Sequence, residues 1–392
     1  MSLWTEGRGR VATAILAGVL GLLLMGVVMW EAFEVIVLPR RVTRRLRLTR
    51  VFYRATWRAW SAIARRLPSS KRQETYLSFY GPLSLLLLLT VWASGMILGF
   101  ALLQAAVGSA LNVSAGTATF GTDLYMSGTT FFTLGLGDVT PRTLLARLIT
   151  VVEAGMGFGF LALVIGYLPV LYQAFSRREV STVLLDARAG SPPCAGELLR
   201  RGGQGLGEEL DPLLREWERW SAELLESHIS YPVLCYYRSQ HSNQSWLAAL
   251  TAILDTSALV LVGIDGIPPR QAQLTFAIAR HAIADLAQIF RTPPRTPGAD
   301  RLAPEVLMRL REGLAAAGVA LRDGLAADQQ LDELRRLYEP YANALAEYLL
   351  MPLPPWLPMT GSFDSWQTSA WERISPREAQ GAAATVRPDE HF

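Results

Sequence analysis

Between residues 121 and 141 the chain reads Gly-Thr-Asp-Leu-Tyr-Met-Ser-Gly-Thr-Thr-Phe-Phe-Thr-Leu-Gly-Leu-Gly-Asp-Val-Thr-Pro. The chemistry lies at its centre, Thr133 to Asp138. A cation leaving water needs a replacement shell of oxygens, and rings of backbone carbonyls supply one. Successive carbonyls point the same way only if the backbone alternates between conformations that L-residues do not share equally. Gly135 and Gly137 are free to take the positive-φ positions. Thr133 adds a hydroxyl oxygen at the inner end, Leu134 and Leu136 turn outward to pack behind the loop, and Asp138 stands at the outer mouth. The preceding residues, about 122–132, read as a short helix whose C-terminal partial negative charge is aimed at the ion path.

A bare Gly-Leu-Gly is an ordinary surface turn, so the flanks decide. Long apolar segments lie on both sides, at 80–107 and 143–175. The order is therefore membrane helix, short descending helix, Gly-alternating loop, membrane helix. With that frame, Thr133 to Asp138 resembles the selectivity filter of the potassium channel pore-loop superfamily, usually Thr-Val-Gly-Tyr-Gly-Asp. The Thr, both Gly and the Asp match. Leu134 replaces Val, and Leu136 replaces the usual Tyr or Phe. The resemblance covers residues 80–175.

It implies K⁺ held by the carbonyls of Thr133, Leu134, Gly135 and Leu136, with Gly137 completing the filter and Asp138 shaping its mouth. Tyr125 stands where the family often has a Trp that hydrogen-bonds this Asp. Gly157 occupies the position of the family's bending glycine; close packing against a neighbouring helix is the alternative. Pro169 removes an internal hydrogen bond and is expected to kink the third span near the depth of the family's intracellular gate. One filter strand cannot surround an ion, so the resemblance implies a homotetramer. Glu153 lies inside the third span, where a carboxylate is costly unless satisfied. A hydrogen bond to Thr129 or Thr130 would let it brace the filter, and a protonated acid satisfied by backbone is the other reading.

The chain has 392 residues, 51% of them hydrophobic, and a net charge of only +3. Apolarity is concentrated in the first half. Residues 11–30 are uncharged and about long enough to cross ~30 Å of hydrocarbon. The run is long for a cleaved signal peptide and has no Ala-x-Ala site, which favours an anchored helix. Glu31 and Glu34 follow at headgroup level, placed to pair with the arginines beyond.

Residues 40–72 carry many Arg and Lys and no acid. Positive charge stays on the cytoplasmic side, which places the N-terminus outside and the C-terminal part inside. Tyr53, Trp57 and Trp60 recur at helical spacing, as in a helix lying at the interface with its arginines toward anionic lipids. With membrane spans on both sides, a nucleic-acid partner is not expected. The arginines lie outside the spans, which argues against voltage sensing.

Beyond Ser176 the pattern becomes that of a helical soluble domain. Candidate helices lie at about 208–228, 243–263, 268–291, 303–324 and 328–352, followed by a Pro-, Ser- and Gly-rich tail expected to be disordered. Residues 246–264 are apolar enough for a span, but Asp255, Thr256 and Ser257 at their centre favour a buried core helix. Gly203-Gln-Gly205-Leu-Gly207 lacks the spacing and the preceding strand of a dinucleotide-binding turn. The polar-aromatic stretch Tyr231–Trp246 is either a ligand pocket or a core junction. Cys194 and Cys235 have no metal-ligand spacing and read as buried free thiols. No nucleophile–base arrangement argues for catalysis.

The expected whole is an all-α membrane protein. Three transmembrane helices and one re-entrant pore loop are followed by a helical cytoplasmic domain. The segments are an N-terminal span (1–38), a basic interfacial helix (39–79), a pore domain (80–176), a cytoplasmic domain (177–352) that either tetramerises the pore or transduces the signal of an unidentified ligand, and the tail (353–392). The expected function is K⁺-selective conduction across the cell membrane with no organic cofactor. The alternatives are a weakly selective cation channel and a non-conducting receptor or scaffold.

Overall fold

The computed structural model describes residues 2–38, 47–113, 117–240, 243–296 and 300–358, with side chains described from residue 11 onward. Arg40, Arg41, Arg44, Arg45, His241 and the tail from residue 359 lie outside the described residues. Among the described residues the protein is all-α apart from one short ladder and an isolated bridge between Ile264 and Leu321, and it divides into two compact units, Met1–Gln173 and Ala174–Phe392.

In the first unit, helix α1 (Ser2–Ala32) packs along α4 (Tyr80–Ala106). Small residues permit the close crossing. A Cβ on Gly21 would lie 2.7 Å from the carbonyl oxygen of Gly99, and one on Gly99 would lie 2.5 Å from Met25. Gly95 and Gly99 form a Gly-x-x-x-Gly pair that is visible in the sequence and was not used in reading it. Around this crossing Met25, Val28, Trp92, Met96 and Phe100 form the buried core, with Phe131.

Two further helices, α2 (Leu48–Ala64) and α3 (Ser70–Ser78), carry the described part of the basic segment. Glu31 engages the start of α2. Its carboxylate accepts from the backbone N–H of Leu48 and Thr49, each at 3.1 Å, and from the Thr49 hydroxyl at 2.7 Å. An acid is favourable there because the first N–H groups of a helix have no internal acceptor. Glu34 does meet an arginine, with Arg47 Nε at 3.5 Å. The other end of α2 is held by aromatics: Trp57 lies edge-on to Tyr80 at 4.8 Å and Trp60 stacks on Tyr76 at 4.4 Å.

After α4 come β1 (Leu111–Val113), α5 (Phe120–Phe131), β2 (Val139–Pro141) and α6 (Leu144–Ala189). The antiparallel ladder pairs Leu111 with Pro141, Asn112 with Thr140 and Val113 with Val139. Strands of three residues are too short to leave an alternation in the sequence. Pro169 lies inside α6, and the helix continues past it to Ala189, beyond the expected end at residue 175.

The second unit is built around α9 (Trp246–Gly263), flanked by α7 (Ala195–Gly202), α8 (Leu206–Ser230), α10 (Arg270–Phe290), α12 (Leu325–Arg336) and α13 (Glu339–Leu349); α11 (Pro304–Ala316) packs on α7. Among the described residues four helices are long and apolar enough to cross a membrane, α9 among them. In the apolar stretch of α9 89% of the residues are buried, against 11% in that of α6. The helix expected over 303–324 stops at Ala316, with Gly318 at φ +81°, and the one expected over 328–352 is divided between Arg336 and Glu339.

The tail expected from residue 353 is corrected in its described part, residues 353–358. Trp356 is fully buried, its carbonyl accepts from Gly196 N–H at 3.0 Å, and Arg301 donates to the Pro354 carbonyl at 2.7 Å. A large apolar ring and two satisfied carbonyls hold this segment against the unit despite its proline content. Both cysteines are free and buried, and burial pushes the Cys194 thiol up to about 12.

Candidate ion-conduction site

Helix α5 positions the loop. Its start is set by Thr119, whose N–H donates to Thr122 Oγ1 at 3.2 Å, and by Ser109, which donates to Asp123 Oδ2 at 2.6 Å. Its end is tied into the loop that follows. Thr133 N–H donates to the Thr130 carbonyl at 2.9 Å and Leu134 N–H to the Thr129 carbonyl at 2.7 Å. These bonds satisfy helix-terminal carbonyls that would otherwise lack donors and fix where the loop departs.

From there the backbone alternates. Thr133, Gly135 and Gly137 have φ of +57°, +54° and +81°. Positive φ at the glycines follows from the absent Cβ. At Thr133 it is a strained position for a β-branched residue, and no residue-type signal could have revealed it. Phe132 through Asp138 are all exposed on the single chain, including Leu134 at 62% and Leu136 at 63%. Within one chain, therefore, the two leucines do not pack behind the loop.

At the outer end Tyr125 Oη donates to Asp138 Oδ2 at 2.9 Å. Arg147 Nε donates to the Pro141 carbonyl at 3.3 Å, and Gln104 Nε2, on α4, reaches the Ala146 carbonyl and Thr150 Oγ1 on α6, each at 3.2 Å. Gln104 is a brace that sequence reasoning missed, since an amide in an apolar span gives no sign of its partner.

Glu153 does not bond Thr129 or Thr130. Its Oε1 is hydrogen-bonded to Ser127 Oγ, one turn nearer the start of α5, and Ser127 Oγ also contacts the Ile97 carbonyl at 2.7 Å. Thr129 instead donates to the Met126 carbonyl at 2.9 Å. Gly157 meets the end of α5: a Cβ there would lie 1.9 Å from the Phe131 carbonyl oxygen. The glycine admits backbone contact, which is the packing alternative. Gly155 and Gly159 have nothing within 4 Å of the corresponding position. Pro169 has no described role beyond its place in α6.

The stretch Tyr231–Trp246 of the second unit is a core junction in its described part. Val233, Leu234, Cys235, Tyr236 and Trp246 are buried. The carbonyls of Leu234 and Tyr237 accept from Arg178 at 2.9 and 3.0 Å. Among the described residues no group of His, Cys, Asp and Glu is arranged to hold a metal.

Two comparisons bear on this arrangement. Residues 86–173, which hold most of α4, all of α5 and the filter loop, and α6 to the end of the first unit, match the family described as Ion channel. An uncharacterized membrane protein of Bacillus subtilis, YdjJ, is 28% identical over 236 residues, covering 58% of this chain and 67% of the relative. No solved structure matches. Residues 86–173 are similar to a pore-loop ion-channel family, which supports the potassium-channel-type superfamily for that segment. The two similarities support a general ion-channel or transport role, and the long apolar helices are consistent with a multi-pass membrane protein.

Proposed function

We propose that the protein is a K⁺-selective channel whose filter, Thr133 to Gly137, is completed by four copies of the chain around one axis. The observation that carries this is the loop backbone. Positive φ recurs at Thr133, Gly135 and Gly137 in a segment whose residues are all exposed on one chain. Such alternation suits carbonyls turned to a common side. An exposed stretch of this apolarity, with Leu134 and Leu136 uncovered, is what a closed cyclic assembly would cover. On this reading α1, α4 and α6 span the membrane, with the N-terminus outside. The unit from Ala174 onward is cytoplasmic, and α9 is its core helix. The domain divisions expected from the sequence carry over with the helical domain beginning inside α6.

K⁺ would sit at the carbonyls of Thr133, Leu134, Gly135 and Leu136, with Tyr125, Asp138 and Glu153 supporting the loop. Thr130 contributes its backbone carbonyl. Pro169 is the proposed gate position, and Gly157 serves packing. Arg54 and Arg58 on the exposed face of α2 face anionic headgroups. The cytoplasmic unit relays an unidentified ligand or signal.

The test is flux from purified protein in liposomes, with reversal potentials read in opposed K⁺ and Na⁺ gradients and Gly135→Asp as the blocked control. Potentials that follow K⁺, and loss of flux in the variant, are expected. The second reading, a weakly selective cation channel, rests on Leu136 in place of an aromatic ring. It predicts a reversal potential that follows both ions alike. Equal leak from wild type and Gly135→Asp would end both readings and leave a non-conducting membrane protein.

A further inference from the structure

We propose that Glu153 is held as a neutral carboxylic acid at the head of a hydrogen-bond relay, Glu153 to Ser127 to the Ile97 carbonyl, that fastens α5 to both α6 and α4 behind the filter. The inference rests on the channel reading for its consequence, the steadiness of the filter, and on proton counting for its chemistry.

The Ser127 hydroxyl has one proton and two oxygen neighbours, Glu153 Oε1 and the Ile97 carbonyl at 2.7 Å. Were Glu153 ionised, both neighbours would be pure acceptors. One proton could satisfy only one of them, and the other would face the serine oxygen lone pair to lone pair. With the proton on Glu153 the count closes: the carboxylic acid donates to Ser127 Oγ, and Ser127 donates to the Ile97 carbonyl.

The surroundings agree. Glu153 is fully buried, and its Oε2 has no hydrogen-bond partner among the described residues. A neutral acid's carbonyl oxygen tolerates that far better than half of a carboxylate. No cation faces it. Helix α4 carries no charged side chain, the only charged residue of α5 is Asp123, engaged by Ser109, and Arg147 on α6 donates to the Pro141 carbonyl. The relay crosses three helices at the middle of α5, while Gly157 fixes the end of α5 and Tyr125 its outer side, so the support of the filter has three separate attachments.

The experiment compares wild type, Glu153→Gln, Glu153→Ala and Ser127→Ala, each as the full chain in lipid vesicles. Glutamine retains an N–H donor toward Ser127 and carries no charge; alanine removes the relay. Infrared difference spectra of wild type minus Glu153→Gln should contain the carbonyl band of a protonated carboxylic acid at neutral pH, and Ser127→Ala should shift that band. Conduction by Glu153→Gln should persist for a time within about twofold of wild type, while Glu153→Ala and Ser127→Ala shorten it by about tenfold, the scale of one lost buried hydrogen bond. A carboxylate band in place of the acid band, or a Gln variant as impaired as the Ala variant, overturns the proposal. Wild-type vesicles that do not conduct defeat the channel reading instead, and the infrared result still decides the state of Glu153.

Discussion

Each unit sets a tyrosine hydroxyl against an aspartate, and the two pairs have little else in common. In the first unit Tyr125, 42% exposed, donates to Asp138 at the edge of the filter loop. In the second, Tyr338 donates to Asp255, and both residues are fully buried. The exposed pair needs no further compensation, because water solvates whatever the bond leaves over. The buried pair sits inside a charged cluster. Arg301 reaches Asp255 Oδ2 at 2.6 Å and Glu339 at 2.9 Å, Arg335 reaches Glu339 at 3.1 Å and also Asp300, and both guanidiniums lie over the Trp356 ring. Burial pushes the Tyr338 hydroxyl well above its ordinary range, with the Asp255 carboxylate adding to the effect, so the phenol remains the donor. The same two side chains form a local strap in one place and part of an obligatory ionic core in the other. What differs is whether water can replace a lost partner.

The strongest way to break the contrast is to take the cation from the buried cluster. Arg301→Met leaves Asp255 and Glu339 buried beside one another with the Arg335 charge on one side only. Removing one partner of a buried ion pair costs about 3–5 kcal/mol. Thermal unfolding of the full-length protein in detergent should show the second unit melting at a markedly lower temperature. An unchanged melting curve would mean the cluster is hydrated and its charges independent.

Next in size is a packing test in the first unit, where backbone contact takes the place of charge. Gly157→Ala would drive a methyl group into the Phe131 carbonyl. Overpacking of this kind costs about 1–3 kcal/mol or more. Gly155→Ala or Gly159→Ala, with open space on the single chain, should fold as wild type. Folding yield and thermal stability check both. Equal tolerance at all three positions would return Gly157 to the role of a bending point.

This difference among glycines shows how far the sequence could be read. The conformation of the loop was legible because it is written in residue types at fixed spacing: Gly135 and Gly137 at positive φ, and Tyr125 bonded to Asp138. Helices of the second unit were legible from apolar periodicity bounded by Pro and Gly. Partnership across the chain was not. Ser127 and Thr130 are both hydroxyl residues on the same short helix, and only the rotation of α5 against α6 decides which one meets Glu153. Glu31 reads as one more acid near a basic run, yet it caps α2 through backbone N–H groups that no composition reveals. Residues 353–358 look like the start of a disordered tail by proline content, and one buried indole, Trp356, reverses that reading for them.

A third prediction extends the contrast to pH. His228 is fully buried beside Arg178, whose Nη1 lies 3.2 Å from His228 Nε2. Burial first, and the Arg178 charge second, hold the imidazole well below its usual 6.5. The folded state therefore keeps His228 neutral where the unfolded chain would bind a proton. Below about pH 6.5 the unfolded state gains protons that the folded state does not, and stability falls as pH falls, by about 1.4 kcal/mol per unit until the folded value is reached. Unfolding of the second unit measured between neutral and mildly acidic pH should lose this slope in His228→Gln. The same slope in the variant would assign it to other groups.

The smallest effect returns to the two tyrosines. Tyr338→Phe leaves one oxygen of a fully buried carboxylate without its donor and should lower the melting temperature of the second unit measurably. Tyr125→Phe removes a bond that water can replace at Asp138, so folding should not change. Only the constancy of conduction in time should respond, because the hydroxyl restrains the mouth of a loop whose backbone is strained at Thr133. A shortening of less than about threefold is expected, on the scale of an exposed polar pair. Recordings of both variants at matched protein density separate the cases. If Tyr125→Phe unfolds the first unit, the outer strap bears the fold itself and the two pairs are alike. If it changes neither folding nor the persistence of current, the filter is held from behind alone, by Ser127, Glu153 and the contact at Gly157.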